Sequence, residues 1–240
     1  MFGFNKKKYK KYVFTNDTYT SDDGAVLHRI VAIRDFGIIK RGTLGGYIRS
    51  ESNLSHRGNC WVTYDAKVFG AASVTENAII MGSAEVSGIC TITNLARVCG
   101  ESKLKGNVHC AGEAFITGTS RINGDVNIIN AQIEDGYIEG NGYDTVDIRG
   151  GKFLEQPDIR HTRHFLVAGP LGSRNDFTTI FRNTFGEIAV RTGCFTGTLD
   201  EFEKAVNEEH GDNQYAKEYK ALIELAKVHI CLDDDPDEEE

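Results

Sequence analysis

Cys60-Trp61-Val62-Thr63-Tyr64-Asp65-Ala66-Lys67-Val68-Phe69-Gly70 opens a stretch in which one pattern returns every six residues as far as Asn130. Stepping by six from Val62 gives Val68, Val74, Ile80, Val86, Ile92, Val98, Leu104, Cys110, Ile116, Ile122 and Ile128, and every one is apolar. At an overall apolar content of 40%, such a run has a chance probability on the order of 10⁻⁵. Two residues before each stands a small or β-branched residue, from Cys60 and Ala66 to Ser120 and Val126. Two residues after each is usually glycine (Gly70, Gly82, Gly88 and onward), with Asn94 and Asn130 at two of the other positions. Strand side chains alternate between faces, so the aliphatic residue and the small residue before it point the same way, inward. Glycine or asparagine then supplies the backbone angles of a sharp corner. The period therefore predicts a mainly β chain wound as a parallel β-helix.

Stacking at three repeats per coil sorts the outward residues by face. One face carries Trp61, Ile79, Arg97 and Phe115 before the core residue, with Met81 among those after it. A second carries Lys67, Glu85, Lys103 and Arg121, and a third Ser73, Thr91, His109 and Asn127. The first face would expose Trp61, Ile79, Met81 and Phe115 together, a patch that soluble monomers avoid. It is expected to be covered, either by another subunit or by the chain's own terminal segments.

Outside the repeat the character changes. Tyr12 to Thr20 and Ala25 to Ile33 read as strands around a turn at Asp22-Asp23-Gly24, and residues 1–47 as an N-terminal β cap. The same phase is read upstream of the repeat through Ile48 and Leu54, and downstream it slips near Ala131, with Ile133 the next inward residue. Residues 48–150 form the helix of about four to five coils. Residues 151–232 read as an α+β domain: a strand from Phe165 to Ala168, a loop from Gly169 to Asp176, a hairpin of 178–182 with 187–191, then two helices. Thr198-Leu199-Asp200-Glu201 is a capping box for the first helix, Gly211 ends it, and the second runs from about Tyr215 to Cys231.

Charge is unevenly placed. The net charge is −8, but Asp233 to Glu240 holds seven acids, leaving −1 for the other 232 residues. That segment is expected to be a disordered acidic tail. Lys6, Lys7, Lys8, Lys10 and Lys11 form a short basic run expected to be solvated. The balance argues against nucleic-acid binding, which asks for a basic stripe on the folded body. No apolar run of membrane-spanning length is present, no secretory signal is expected, and the six cysteines have no CxxC spacing, so reduced thiols and a cytoplasmic location are expected.

The repeat resembles the left-handed β-helix of the hexapeptide-repeat family, in which three hexapeptides close one triangular coil, and many such helices are trimers. The run Arg34-Asp35-Phe36-Gly37, Leu44-Gly45-Gly46 and Asn59-Cys60-Trp61 resembles hexapeptide-repeat proteins of bacteriophages and prophages. The segments Gly169-Pro170-Leu171-Gly172-Ser173-Arg174, Thr192-Gly193-Cys194-Phe195-Thr196-Gly197-Thr198 and His210-Gly211-Asp212-Asn213 look like a C-terminal domain that recurs in phage proteins. The resemblance implies a viral accessory protein in the host cytoplasm, a trimer or dimer. Its expected role is non-enzymatic and anti-defence, sequestering a signalling nucleotide or a host defence protein. A hexapeptide-repeat acyltransferase and a purely structural scaffold are the alternatives.

The candidate chemistry is sparse. By resemblance an acyltransferase would use a histidine base and a loop interrupting the coils. Here the twelve repeats run uninterrupted, and His109, the one histidine in them, reads as an outward surface residue. The three histidines a zinc site would want are absent from the coils, and neither metal nor cofactor is expected. The loop holding Gly172, Ser173 and Arg174 can present backbone N–H groups and a guanidinium to an anion, with Arg182, Arg191 and Thr192 nearby if the hairpin folds as read. These six residues are the candidate nucleotide site, against the plainer reading that Arg174 pairs with Asp176 or caps a helix. Cys194 reads as a small buried residue of a turn rather than a nucleophile.

Overall fold

The computed structural model describes residues 10–140, 142 and 145–234, so Lys6, Lys7 and Lys8 and residues 235–240 of the acidic segment lie outside the described residues. The chain divides into two units, residues 1–119 and 120–240.

In the first unit, strand Tyr12–Thr20 pairs antiparallel with Val26–Ala32, which pairs in turn with Leu44–Ile48. Leu44–Ile48 then joins the coils by pairing parallel to Lys67–Val68. From Trp61 the strands are two residues long, each ending on an inward aliphatic residue that is fully buried: Val62, Val68, Val74, Ile80, Val86, Ile92 and Val98. Strands this short hold because every coil bonds to the next. Trp61 N donates to Ala78 O at 3.1 Å, Thr63 N to Ile80 O at 2.9 Å and Asp65 N to Gly82 O at 3.0 Å. Burying each aliphatic side chain contributes about 1.5–3 kcal/mol. Side-chain ladders add to the coil-to-coil contacts, with Thr75 donating to Thr93 at 2.9 Å and Lys67 paired with Glu85 at 3.2 Å.

The corners explain the glycines and correct the rule that placed them. All twelve corner positions have positive φ, including Tyr64 at 56° and Glu76 at 57°, where no glycine or asparagine stands. The coil geometry imposes the left-handed region there against the residues' own preference.

Two expectations for this unit need correcting. Ile48 and Leu54 do face inward, but they pair with Val68 and Val74, twenty residues on rather than eighteen. They are therefore out of phase with the repeat. Lys11, read as part of a solvated basic run, is fully buried. Its Nζ donates to Cys60 O at 2.7 Å and contacts Cys60 Sγ at 3.2 Å, and the amine lies 5.0 Å from the Phe36 ring centroid. Burial lowers its pKa and raises that of the Cys60 thiol.

In the second unit the parallel ladders continue with uneven spacing. Arg121 pairs with Tyr137, Val126 with Val146, Gln132 with Lys152 and Tyr137 with Asp158. Ile133 is fully buried, as the slipped register predicts. Counted by strands, the first unit holds about four coils and the second about two, slightly more in all than the four to five expected. A four-stranded antiparallel sheet follows: Phe165–Leu171, Asp176–Arg182, Ile188–Thr192 and Phe195–Thr198. Helices α1 (Leu199–His210) and α2 (Gln214–His229) pack their apolar sides on it through Phe202, Val206, Leu222 and Ile223 against Ile180 and Val190. The capping box at Thr198 and Glu201 is formed, and Gly211 is the C-cap of α1.

Asp233 and Asp234, the first residues of the segment expected to be disordered, are held in place. His164 Nε2 lies 2.8 Å from Asp233 O, and Asp234 pairs with both Arg160 and Arg182 at 2.8 Å. Among the described residues no helix is long and apolar enough to cross a membrane.

Candidate functional site

The site is built by two adjacent turns of the C-terminal sheet. Strands Phe165–Leu171 and Asp176–Arg182 meet at a tight turn in which Gly172 has φ +66° and Asn175 φ +49°. The expected eight-residue loop is thus a four-residue turn between strand ends, with Leu171 paired to Asp176. Strands Ile188–Thr192 and Phe195–Thr198 meet at Gly193-Cys194, where Thr192 pairs with Phe195. Because Thr178 is paired with Thr192, the two turns sit side by side. Arg174 Nη1 donates to Cys194 Sγ at 3.3 Å across them. Helices α1 and α2 supply the remaining wall through Glu209, His210 and Tyr219.

The result is a pocket of about 90 Å³. Ser173, Arg174 and Thr192 line it, and so do Asp176, Cys194, Glu209, His210 and Tyr219. Thr192 is buried and anchored by a 2.8 Å bond from Thr178. The His210 ring stacks on Tyr219 with centroids 5.8 Å apart. Gly172 stands behind the pocket: its N donates to Glu218 Oε2 at 3.2 Å, and a Cβ there would come within 2.0 Å of the Tyr219 hydroxyl.

Of the six residues expected to converge, the structure brings three to the pocket, sets Gly172 behind it and places two elsewhere. Arg182 is at the far end of its strand, almost fully buried. Its guanidinium donates to Asp158 Oδ2 and Asp234 Oδ1 at 2.8 Å each, to Leu232 O at 3.0 Å and to Asp158 O at 3.1 Å. Arg191 alternates to the sheet face opposite Thr192 and donates to Thr196 Oγ1. Cys194, expected to be buried, is exposed, and all six cysteines are free thiols.

Sequence reasoning named Asp176 beside Arg174 but missed Glu209, His210 and Tyr219. Of these His210 stands in a segment already singled out, before Gly211. What was lacking was the docking of α1 beside the turns. Glu209 changes the chemistry, since with Asp176 it puts two carboxylates in the same lining as one guanidinium. Among the described residues no group of three or more His, Cys, Asp or Glu could hold a metal ion.

The solenoid face expected to be covered is stacked as the period predicts, Trp61 on Ile79, Ile79 on Arg97 and Arg97 on Phe115. Trp61 is 1% exposed beneath the chain's own cap, with Phe36 at 5.3 Å and Tyr12 at 6.2 Å between ring centroids. Ile79, Met81 and Phe115 are half-buried and Arg97 is exposed. His109 is half-buried on strand Asn107–Ala111, beside Thr91.

No protein-family model matches the chain. A stretch of 60 residues is 43% identical to an uncharacterized acetyltransferase, YdcK, of Escherichia coli strain K12. The match covers 24% of this chain and 18% of the relative's length. Together the solenoid and this match fit a hexapeptide-repeat protein.

Proposed function

We propose that this is a binding protein, in which a left-handed hexapeptide solenoid serves as scaffold and the C-terminal sheet-and-helix region carries the ligand site. The observation behind this reading is the convergence of Ser173, Arg174, Thr192, Cys194 and His210 on one small pocket. Its size suits a single small group, such as one phosphate or carboxylate, rather than a whole nucleotide. Arg174 offers the fork for an anionic end. Asp176 and Glu209 suit a hydrogen-bond-donating or cationic end of the same ligand. A small dipolar ligand therefore fits better than a bare polyanion. The solenoid would assemble as a trimer through the Ile79, Met81, Arg97 and Phe115 face, with Trp61 already covered by the cap. A role against host defence rests on the phage resemblance alone.

Calorimetric titration with inorganic phosphate, small amino acids and short dicarboxylates tests the site. A ligand whose affinity falls at least about tenfold in Arg174→Ala supports it, as loss of a charged hydrogen bond requires. Unchanged binding of every such ligand in that exposed-residue variant refutes it.

The second reading is acyl transfer, favoured by the 43% identity to the acetyltransferase. Binding of coenzyme A, with acetyl transfer from its thioester, would favour this reading over the first.

A further inference from the structure

We propose a second site, for the phosphorylated aromatic chemistry of a nucleotide, at the double-glycine corner beside Phe177. Strand Val146–Arg149 turns into Lys152–Phe153 through Gly150 and Gly151, with φ of 74° and 83°. That corner sets Arg149 and Lys152 on either side of bare backbone. A Cβ at Gly150 would meet nothing within 4 Å, so the backbone faces open space. The corner is nevertheless fixed. Lys152 N donates to Thr179 Oγ1 at 2.9 Å, and a Cβ at Gly151 would fall 2.9 Å from that same oxygen.

Thr179 lies on the strand that carries Phe177, so the bond that holds the corner also sets its distance from that ring. Phe177 is 53% exposed. Arg149, Gly150, Gly151, Lys152 and Phe177 line one pocket of about 560 Å³, a volume within the range of small-molecule sites. Arg149 is already paired with Asp147 at 3.0 Å, which leaves Lys152 as the principal cation for a phosphate. Asp176 is the one acid in the lining. An exposed π-face beside a cation and an open glycine backbone recognises a stacked base joined to phosphate. Neither half alone uses the whole pocket. This site shares only Asp176 with the pocket of Arg174, so it stands or falls separately from the function proposed above.

Titration calorimetry of the full chain with ATP, and with pyrophosphate and adenosine as its halves, tests the proposal. ATP is expected to bind more tightly than either half. Phe177→Ala should weaken ATP at least about tenfold, the scale of one base–aromatic stack, and leave pyrophosphate unchanged. Lys152→Glu should weaken both. Arg174→Gln should change neither, which separates this site from its neighbour. All three side chains are exposed, so folding survives the changes and is checked by circular dichroism. The proposal is overturned if none of the four nucleoside triphosphates binds at up to about 1 mM. It is also overturned if Phe177→Ala binds ATP like the parent, or if Arg174→Gln abolishes ATP binding.

Discussion

Replacing Arg182 with alanine separates a structural arginine from a ligand-binding one. The guanidinium is 3% exposed and gives four hydrogen bonds, two to carboxylates and two to backbone carbonyls. Breaking a buried ion pair by removing one partner typically costs about 3–5 kcal/mol, because the other charge is left without compensation. Here the compensation is not wholly lost. Asp158 keeps Arg160, whose Nε lies 3.1 Å from its Oδ1, and Asp234 keeps Arg160 at 2.8 Å while being largely exposed. The lower end of the range applies, about 3 kcal/mol, with the carbonyls of Leu232 and Asp158 contributing through lost charged hydrogen bonds. Chemical denaturation of Arg182→Ala followed by circular dichroism should show that loss. Arg182→Lys should recover only part of it, since an ammonium cannot reproduce the fork. A loss below about 1 kcal/mol would refute the argument. So would a variant of unchanged stability that no longer binds the ligand of the Arg174 pocket.

His164 Nδ1 accepts from Arg160 N at 3.0 Å while Nε2 donates to Asp233 O, so the neutral ring is the one the fold needs. Burial, with Arg182 nearby, pushes its pKa down from 6.5 to about 4. The unfolded chain therefore takes up the proton first, and stability should be full above pH 6.5 and fall as pH drops toward 4, by up to about 3 kcal/mol. His164→Gln should flatten that part of a pH–stability profile, and an unflattened profile would assign it to other groups. Gly58→Ala should cost about 3 kcal/mol, since φ is +66° and the new Cβ would lie 2.1 Å from the Glu76 carbonyl oxygen. Gly24→Ala, at φ +81° but with nothing within 4 Å, should cost only about 1 kcal/mol, and equal losses in thermal melts would show that crowding is not the cause. Lys11→Met keeps the stem but strands Cys60 O, so it should lose about 1–3 kcal/mol; a gain would mean the buried amine is a net cost.

The solenoid was legible because its information is local. A hexapeptide specifies one inward aliphatic residue, one small neighbour and one corner, and all twelve inward residues from Val62 to Ile128 are buried. Legibility ends where the spacing does. Beyond Asn130 the paired residues stand 16, 20, 20 and 21 apart instead of 18, so no fixed period reports them. The corners at Tyr64 and Glu76 make the same point in reverse: the neighbouring coils dictate their φ, and residue type does not announce it.

The site divides on the same line. Ser173, Arg174 and Thr192 could be placed together because turns and hairpin pairing are local. Arg182 and Arg191 were misplaced for reasons that strand geometry contains. A strand advances about 3.3 Å per residue, so Arg182, six residues past Asp176, lies roughly 20 Å along from the turn. Arg191 precedes Thr192 by one residue and must face the other way. Strand geometry applied to the hairpin would have excluded both, by rise for Arg182 and by alternation for Arg191. No such argument reaches His210 or Glu209, whose approach depends on how α1 lies across the sheet. That packing is set by Phe202 and Val206 against Ile180 and Val190, residues far apart in sequence. The first two residues of the acidic segment, Asp233 and Asp234, show the opposite error, a composition rule applied where pairing decides. Asp234 belongs to a run of acids, yet Arg182 and Arg160 hold it and lower its pKa. What fixes the fate of a charged residue here is whether a buried guanidinium lacks a counterion, and that deficit is visible only once Asp158, Arg160 and Arg182 are in one place.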